Sequence, residues 1–339
     1  MREKFYMKTE TLFEEYRGGV LECIHQGMIC VVDKDGVVAS AGDADWMCFY
    51  RSCSKPIQSL PVIMREIDKK YGLTAEETAL FSGSHAGDPI HVQAAESIMK
   101  KTGLKEEQLI MLPTYPGRQS ERERLLREGK PPRKIYHNCS GKHLAMMLLA
   151  RELGEPVEQY WVRGSRTQSE ILKVISEMTD VLAEEIKIGV DGCGVPVYAV
   201  PFHAIATSYL RLVRPELIVN PELRKAVERN MEMLHRNPNM IGCEGSICST
   251  LTVNQDLIGK SGAQGVYTFG IKSLGLGVVF KIMDGSQDEF AAGVLEICRQ
   301  LGYENEALEE LKKLYSNVVI NDNKEEVGER KPVFKLVRR

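Results

Sequence analysis

Strand-like runs and helical repeats alternate along the whole chain, and this alternation limits its fold more than any other feature. Residues 29–40 place two β-rich runs around Asp35-Gly36, a turn pair that predicts a hairpin near the start. Apolar residues then recur at helical spacing through 57–71 until Gly72 stops them, and Pro61 predicts either a kink or a late helix start. The mixture predicts an α/β (α+β) fold.

The same patterns predict individual elements. Thr74 and Glu77 form a capping box, which predicts a helix start. The stretch 192–210, which follows Asp191, has no charged residue and predicts a buried strand and turn. Further helices are expected over 90–101, 141–153, 167–178, 221–235, 288–301 and after Asn305, and strands over 47–50, 195–200, 266–271, 277–282, 318–320 and 333–337.

Composition bounds the class of protein. The 339 residues are 43% hydrophobic and 27% charged, as in a globular protein with a buried core. No repeat or linker marks a boundary, so we treat 1–339 as a single catalytic unit, with two lobes expected around the active site. Forty-four Lys and Arg against 47 Asp and Glu give a net charge of −3, which argues against binding to nucleic acid or anionic membranes.

Cysteine usage and the amino-terminal segment predict the compartment. The nine cysteines are irregularly spaced, and residues 1–19 contain no apolar export segment. Both features predict a reducing, cytoplasmic environment.

The first candidate for chemistry is Ser52-Cys53-Ser54-Lys55, because a serine and a lysine three residues apart at a helix start share a face. Lysine has a pKa of about 10.4, so a base useful at neutral pH costs about 4 kcal/mol of desolvation and charge repulsion. A second cationic group is therefore expected nearby. Ser97 and Lys100 match the same spacing, but they lie in a charged helix and predict an exposed surface.

The second candidate is Lys260-Ser261-Gly262, in a Gly-rich stretch before a predicted strand. A lysine there can face an anionic substrate or oxyanion, or it can be a solvated turn residue. An early S-x-x-K and a late K-[ST]-G are the layout of serine β-lactamases and penicillin-recognising enzymes, and Tyr136-His137-Asn138 fits the middle element loosely. The missing export segment argues against a cell-wall substrate.

Two further segments concentrate reactive side chains. Ser84 lies in the loop GSHAGDP, which can position a substrate or simply connect two helices, and His85 and His91 are more typical of structural histidines. The segment HNCSGKH at 137–143 and Cys193 in DGCG supply thiols and imidazoles suited to zinc, although buried free thiols are the commoner alternative.

Taken together, five segments resemble those of the Rhizobium etli type of L-asparaginase, the asparaginase II family, in order and spacing. The segments are RSCSKP, GSHAGDPIH, HNCSGKH, VDGCGVP and GKSGAQGVY. The resemblance spans roughly residues 15–335 and implies an amidohydrolase that converts asparagine to aspartate and ammonia. It also implies a fold similar to serine β-lactamases and penicillin-binding proteins, and a homodimer.

The resemblance further implies residue roles. Two catalytic Ser-Lys tandems fall on Ser52 with Lys55 and on Ser84 with Lys260, and one zinc ion falls on Cys139, Lys142 and Cys193. We expect Ser52 to attack, with Ser84 as the mirrored alternative. Substrate contacts are assigned to Arg51, His85, Asn138, His143 and Asp191.

One departure and two other functions stay open. The family loop usually reads SHSGEP, whereas this chain has Ser84-His85-Ala86-Gly87-Asp88-Pro89, which puts substrate preference rather than catalysis in question. The chain could instead be a β-lactamase-like or peptidase-like serine hydrolase acting on another amide. It could also be a catalytically silent amino-acid-binding protein on the same scaffold.

Overall fold

The computed structural model describes residues 8–339. The first seven residues of the amino-terminal segment, on which the absence of an export signal was judged, lie outside the described residues. Among the helices that are described, none is long and apolar enough to cross a membrane.

The described chain alternates strands and helices along its length. The strands are β1 Glu10–Arg17, β2 Val20–Asp33, β3 Gly36–Ala41, β4 Met47–Phe49, β5 Lys187–Val190, β6 Pro196–Pro201, β7 Leu257–Gly262, β8 Val266–Ile271, β9 Leu276–Ile282, β10 Val318–Ile320, β11 Glu326–Pro332 and β12 Val337–Arg338. The helices are α1 Lys55–Gln58, α2 Leu60–Met64, α3 Ile67–Lys70, α4 Ala75–Ala79, α5 Pro89–Thr102, α6 Gln119–Arg127, α7 Ser140–Glu152, α8 Arg166–Thr179, α9 Phe202–Val213, α10 Pro221–Arg236, α11 Ile247–Thr252, α12 Phe290–Leu301 and α13 Glu306–Leu314.

Among residues 8–339, nine strands form one antiparallel sheet: seven follow the order β10-β11-β1-β2-β9-β8-β7, and β3 and β12 join it beside β2. The long strand β2 pairs with β1 over its first half and with β3 over its second half, and β12 extends that edge by pairing with β3. A second antiparallel sheet has the order β4-β6-β5. The prediction of a mixed α/β fold is confirmed.

Helices cover both faces of the large sheet at close range. A Cβ on Gly277 would lie 2.0 Å from the Ala206 carbonyl oxygen of α9, so only glycine lets that helix approach β9. A Cβ on Gly293 of α12 would lie 2.9 Å from the ring of Phe280. Buried apolar residues from the sheet and these helices form the core.

Most predicted elements are confirmed within one to three residues. The hairpin at Asp35-Gly36, the capping box of Thr74 and Glu77, the strands at 266–271 and 318–320 and all the longer predicted helices are present. Strands β1 and most of β2, together with α6, were not predicted. Their patterns are weak because many of their residues are exposed.

Three predictions were only partly right. In the charge-free stretch 192–210 the buried strand is present as β6, but helix α9 stands where a turn was expected. In the run 57–71, Pro61 lies in the first turn of a new helix, α2, so the late helix start is present and a single kinked helix is not. Instead of the closing strand expected at 333–337, the chain forms β11 just before that range. The residues of β11 are polar and partly exposed and pair with β1, so they give no hydrophobic signal.

Candidate active site

Lys55 is the point at which the predicted motifs meet. It is the first residue of α1 and is 0% exposed, directly after a 3₁₀ turn at Arg51–Ser54. Its Nζ donates hydrogen bonds to the carbonyl oxygen of Gly83 at 2.8 Å, to Ser84 Oγ at 2.8 Å and to the carbonyl oxygen of Asn138 at 3.1 Å. One amine thus joins three of the five motif segments of the sequence.

The pKa of Lys55 is lowered from 10.5 to about 8. Burial lowers it most, the charges of Lys260 and Lys142 also lower it, and the thiols of Cys139 and Cys193 act in the opposite direction. Two cationic neighbours are therefore present where the sequence required at least one. A lysine with a pKa near 8 has a substantial neutral fraction at physiological pH, which a general base requires.

Lys260 is held on β7 behind this amine. It is 0% exposed, and its Nζ donates to the carbonyl oxygen of Ser261 at 2.9 Å. The strand approaches the 3₁₀ turn closely: Cys53 Sγ donates to the carbonyl oxygen of Lys260 at 3.1 Å, and a Cβ on Gly262 would lie 3.0 Å from Cys53 Sγ. Glycine at position 262 is needed for this contact.

The two Ser-Lys tandems are arranged differently from the pairing that the sequence implies. The observed lysine–hydroxyl hydrogen bond joins Lys55 to Ser84, not to Ser52. Within residues 8–339, the Ser52 hydroxyl makes no hydrogen bond, and Lys260 makes none to Ser84. Ser52 follows Arg51, whose φ of 51° is in the left-handed region that non-glycine residues rarely adopt.

The predicted metal ligands lie together beside the Ser-Lys group. Cys139 precedes α7, Lys142 lies in its first turn, and Cys193 lies in the turn between β5 and β6. All three are buried, and Lys142 Nζ is 3.3 Å from Cys193 Sγ and 3.7 Å from the Oδ2 atom of Asp191. A hydrogen bond from the Cys193 thiol and the nearby lysines hold the pKa of Cys139 well below its usual range. The lysines beside this pair therefore favour ionisation of a thiol, as metal ligation requires.

Asp191 connects this group to the 3₁₀ turn. Its Oδ1 accepts from Arg51 Nε at 2.8 Å, while its Oδ2 faces Lys142. Desolvation raises the pKa of Asp191, but Lys142 and Arg51 outweigh this and lower it overall. Arg51 and Asp191, both predicted to contact the substrate, therefore form an ion pair with each other.

The other three predicted substrate contacts differ in their burial and in their hydrogen bonds. His85 is buried, and its Nδ1 accepts a hydrogen bond from the Gly87 backbone N–H, so its Nε2 donates to Ser140 Oγ at 2.7 Å. Burial lowers the pKa of His85 well below 6.5. His143 is buried and its Nδ1 contacts the Tyr160 hydroxyl at 2.7 Å. The side chain of Asn138 is exposed, and only its carbonyl oxygen contacts Lys55.

Sequence reasoning missed several residues that hold this site. Ser140 lies inside the segment HNCSGKH but was not singled out, although its hydroxyl orients His85. Tyr160, which orients His143, lies in no motif, and no sequence signal identifies it. The carbonyl oxygens that bind Lys55 are backbone groups, which residue types do not specify.

The chain was compared with known proteins. The family model described as L-asparaginase II matches residues 13–332. The chain belongs to the L-asparaginase II family. It is therefore an amidohydrolase. No curated protein sequence gives a significant match.

Solved structures with partial likeness were also found. A Bacteroides dorei protein assigned as a β-lactamase is 13% identical, with 80% of this chain and 93% of that chain covered and a TM-score of 0.43. A β-lactamase from Mycobacterium bovis is 12% identical, with 77% and 88% covered and a TM-score of 0.37. A Bacillus subtilis protein assigned as a glutaminase, complexed with 6-diazo-5-oxo-L-norleucine, is 14% identical, with 85% and 82% covered and a TM-score of 0.32.

Proposed function

We propose that this amidohydrolase is an L-asparaginase of the Rhizobium etli type, which converts L-asparagine and water to L-aspartate and ammonia. The observation that carries the proposal is the buried amine of Lys55, which has a lowered pKa and contacts the Ser84 hydroxyl at 2.8 Å. A nucleophile and a base within hydrogen-bond reach are the minimum requirement for acyl transfer through a serine.

In the proposed mechanism, neutral Lys55 takes the proton of Ser84 Oγ as that oxygen attacks the side-chain amide carbon of asparagine. The Lys55–Ser84 contact supports Ser84 as the nucleophile, in place of the Ser52 assignment that the sequence favours. When the tetrahedral intermediate collapses, the Lys55 ammonium gives its proton to the leaving nitrogen. Ammonia departs and the aspartyl group remains bonded to Ser84 Oγ.

Hydrolysis of the acyl-enzyme reverses this proton route. A water molecule attacks the ester carbon, Lys55 takes its proton, and the proton returns to Ser84 Oγ as aspartate leaves. Lys260 assists by charge, because its buried cation keeps the pKa of Lys55 low. Ser52 lies three residues before Lys55 on the same turn and is the candidate for relaying a proton or binding the substrate amide.

The Arg51–Asp191 pair is suited to bind the amino-acid head group. A free amino acid carries an ammonium and a carboxylate, and a guanidinium and a carboxylate that face each other can each take the opposite charge of the zwitterion. The pair is partly accessible, with 23% of the Arg51 side chain exposed. We propose that His85, Asn138 and His143 line the rest of the substrate site.

We also propose that Cys139, Lys142 and Cys193 hold one zinc ion. With Zn–S of about 2.3 Å and Zn–N of about 2.0 Å, tetrahedral ligands lie about 3.5 Å apart, and Lys142 Nζ lies 3.3 Å from Cys193 Sγ. Two thiolates and a neutral amine form a donor set that suits zinc, and binding would displace the protons that these groups carry, so the residues fit the ion. A bound zinc would supply positive charge beside the Ser-Lys group.

The zinc proposal predicts that Cys139→Ser lowers the zinc bound per chain by about one equivalent, because a hydroxyl is a far weaker zinc ligand than a thiolate. Metal analysis of freshly purified protein measures this. Cys298→Ser is the matched control, since Cys298 is a buried thiol in α12 and is expected to leave the zinc content unchanged. Equal zinc in the wild type and Cys139→Ser would contradict the site.

The base assignment predicts a pH profile. Since Lys55 acts as a neutral amine and its pKa in the free enzyme is about 8, kcat/KM should rise with pH and level off above about pH 8. Below that pH the neutral fraction falls tenfold per unit, and kcat/KM should follow it. Ammonia release measured at asparagine concentrations well below KM from pH 5.5 to 9.5 tests this, with unfolding monitored at each pH. A profile that is flat through pH 8 would contradict Lys55 as the base.

A screen of ammonia release across asparagine, glutamine and short linear amides, with β-lactam hydrolysis alongside, tests the activity itself. Asparagine turnover supports the proposal. Turnover of β-lactams or peptides alone would favour the other serine hydrolases. A ligand-induced rise in melting temperature without turnover would favour a silent amino-acid-binding protein.

Three broader expectations remain proposals. The reducing cytoplasm would keep Cys139 and Cys193 available as metal ligands. We expect one catalytic unit with the Ser-Lys group between two lobes, and a homodimer. Gel filtration with light scattering tests the oligomeric state.

A further inference from the structure

A second cluster of metal-binding side chains lies away from the Ser-Lys motifs, at the start of α12. Glu15 is on β1, His25 is on β2, and Glu289 is the residue before the first turn of α12. His25 pairs with Phe13 across the two strands, and Phe13 and Glu15 share a face because they are two residues apart. The three side chains therefore meet where α12 begins to cover the sheet.

The three ligand atoms have the spacing of a metal site. His25 Nε2 lies 3.8 Å from Glu15 Oε1 and 3.5 Å from Glu289 Oε1, and one ligand atom from each residue lies within 4.8 Å of the others. Nitrogen and oxygen ligands at about 2.0–2.2 Å from a tetrahedral zinc lie about 3.4 Å apart. Small side-chain shifts would bring all three atoms onto one ion.

The histidine is held in the orientation that metal ligation requires. Its Nδ1 lies 2.6 Å from Asp284 Oδ2, so Nδ1 carries the proton that binds this carboxylate. Nε2 then faces Glu15 and Glu289, and among residues 8–339 it has no hydrogen-bond partner. A carboxylate that orients a histidine whose other nitrogen faces a metal position is a recurrent arrangement in metal sites.

Glu289 provides an independent observation. Its side chain is 1% exposed, and its Oε2 has no hydrogen-bond partner in the part of the chain that the structure describes. A carboxylate this deeply buried needs a compensating charge. The two groups that approach it are the His25 ring and Arg330 Nε, which lies 3.8 Å from Glu289 Oε1.

Arg330 neutralises only part of the cluster. Its guanidinium pairs with Glu15 and lies 3.4 Å from Asp288. Four carboxylates, those of Glu15, Asp284, Asp288 and Glu289, therefore surround one guanidinium and one imidazole. Each carboxylate oxygen has two lone pairs, so Glu15 can accept from Arg330 and still bind a cation.

We propose that Glu15, His25 and Glu289 form a binding site for one divalent cation of the zinc class, which joins the start of α12 to strands β1 and β2. The donor set of one imidazole and two carboxylates suits zinc. The site shares no residue with the Ser-Lys group or with Cys139, Lys142 and Cys193.

The test counts zinc in the full-length protein. The protein is stripped with a chelator, incubated with Zn²⁺ and freed of excess metal, and bound zinc per chain is measured. His25→Ala is expected to bind one equivalent less than the wild type, and Zn²⁺ is expected to raise the melting temperature of the wild type more than that of His25→Ala. Equal zinc content in the two proteins would overturn the proposal.

Controls separate this site from folding defects and from the cysteine site. Glu15→Gln keeps the side-chain shape and should also lose one equivalent, which covers the case in which His25→Ala does not fold. His203→Ala is the matched histidine control, because His203 faces a single carboxylate, that of Asp45 at 3.1 Å, and it should bind zinc as the wild type does. Cys139→Ser should keep the zinc ion that is bound by Glu15, His25 and Glu289. If Cys139→Ser lost one zinc equivalent and His25→Ala lost none, the proposal would also be overturned.

Discussion

Replacing Ser84 by alanine is expected to lower kcat for asparagine hydrolysis by at least about 10³-fold. The side chain of Ser84 is the hydroxyl that contacts Lys55 Nζ, and loss of a serine nucleophile removes the covalent route as a whole. Ammonia release at saturating asparagine measures kcat, and mass spectrometry of enzyme quenched during turnover should show an acyl adduct in the wild type but not in Ser84→Ala.

The chain supplies a matched control for this substitution. Ser97 has the same three-residue spacing to a lysine, but it lies on α5 and Lys100 is exposed, so Ser97→Ala is expected to leave kcat within about twofold of the wild type. Ser52→Ala is the decisive comparison. If Ser52→Ala lost the acyl adduct while Ser84→Ala still formed it, the nucleophile would be Ser52 and the assignment from the Lys55 contact would be wrong.

Replacing Lys55 by methionine is expected to lower kcat by about 10²–10⁴-fold, the usual contribution of a positioned general base. Methionine has nearly the length of lysine and suits a fully buried position, so the melting temperature should change less than the activity. The carbonyl oxygens of Gly83 and Asn138 each lose a donor, which costs about 1–3 kcal/mol apiece unless water replaces it. Removal of a buried amine offsets part of that cost.

Lys55→Arg distinguishes a proton acceptor from a fixed positive charge. Arginine stays protonated at every working pH, so it keeps the charge but cannot take the serine proton. We expect Lys55→Arg to be as inactive as Lys55→Met, and Lys100→Met, on the exposed copy of the motif, to be fully active. Substantial turnover by Lys55→Arg would show that the amine acts only through its charge.

The hairpin, the capping box and the long helices could be predicted because each depends on local chemistry. Asp35-Gly36 tolerates the backbone angles of a tight turn, and Thr74 and Glu77 satisfy each other's backbone groups within one helical turn. Helix α9 was missed although its apolar residues recur at helical spacing, because the stretch 192–210 has no charged residue that would mark an exposed helix face. Strand β11 is polar and depends on its pairing with β1.

The candidate site also combines features that the sequence indicates with contacts that only the tertiary structure reveals. Cys139 and Cys193 could be considered as zinc ligands from their segments, Lys142 joined them only through the family resemblance, and the structure brings the three residues together. The pairing within the Ser-Lys group could not, because Ser52 and Lys55 share a turn but the amine points across to the loop that carries Ser84. The Arg51–Asp191 ion pair joins residues 140 positions apart, a contact that no local spacing reports.

The sequence alone determined which reactive side chains this chain has, its mixed α/β class and the family that its five segments resemble, because residue types and short-range periodicity are local properties. The tertiary structure alone decided which hydroxyl Lys55 contacts, how far its pKa falls and where Glu15, His25 and Glu289 meet. Those outcomes depend on burial and on distances between segments far apart in the chain. Hydrogen bonds and desolvation act over a few ångströms in space, whatever the separation in sequence.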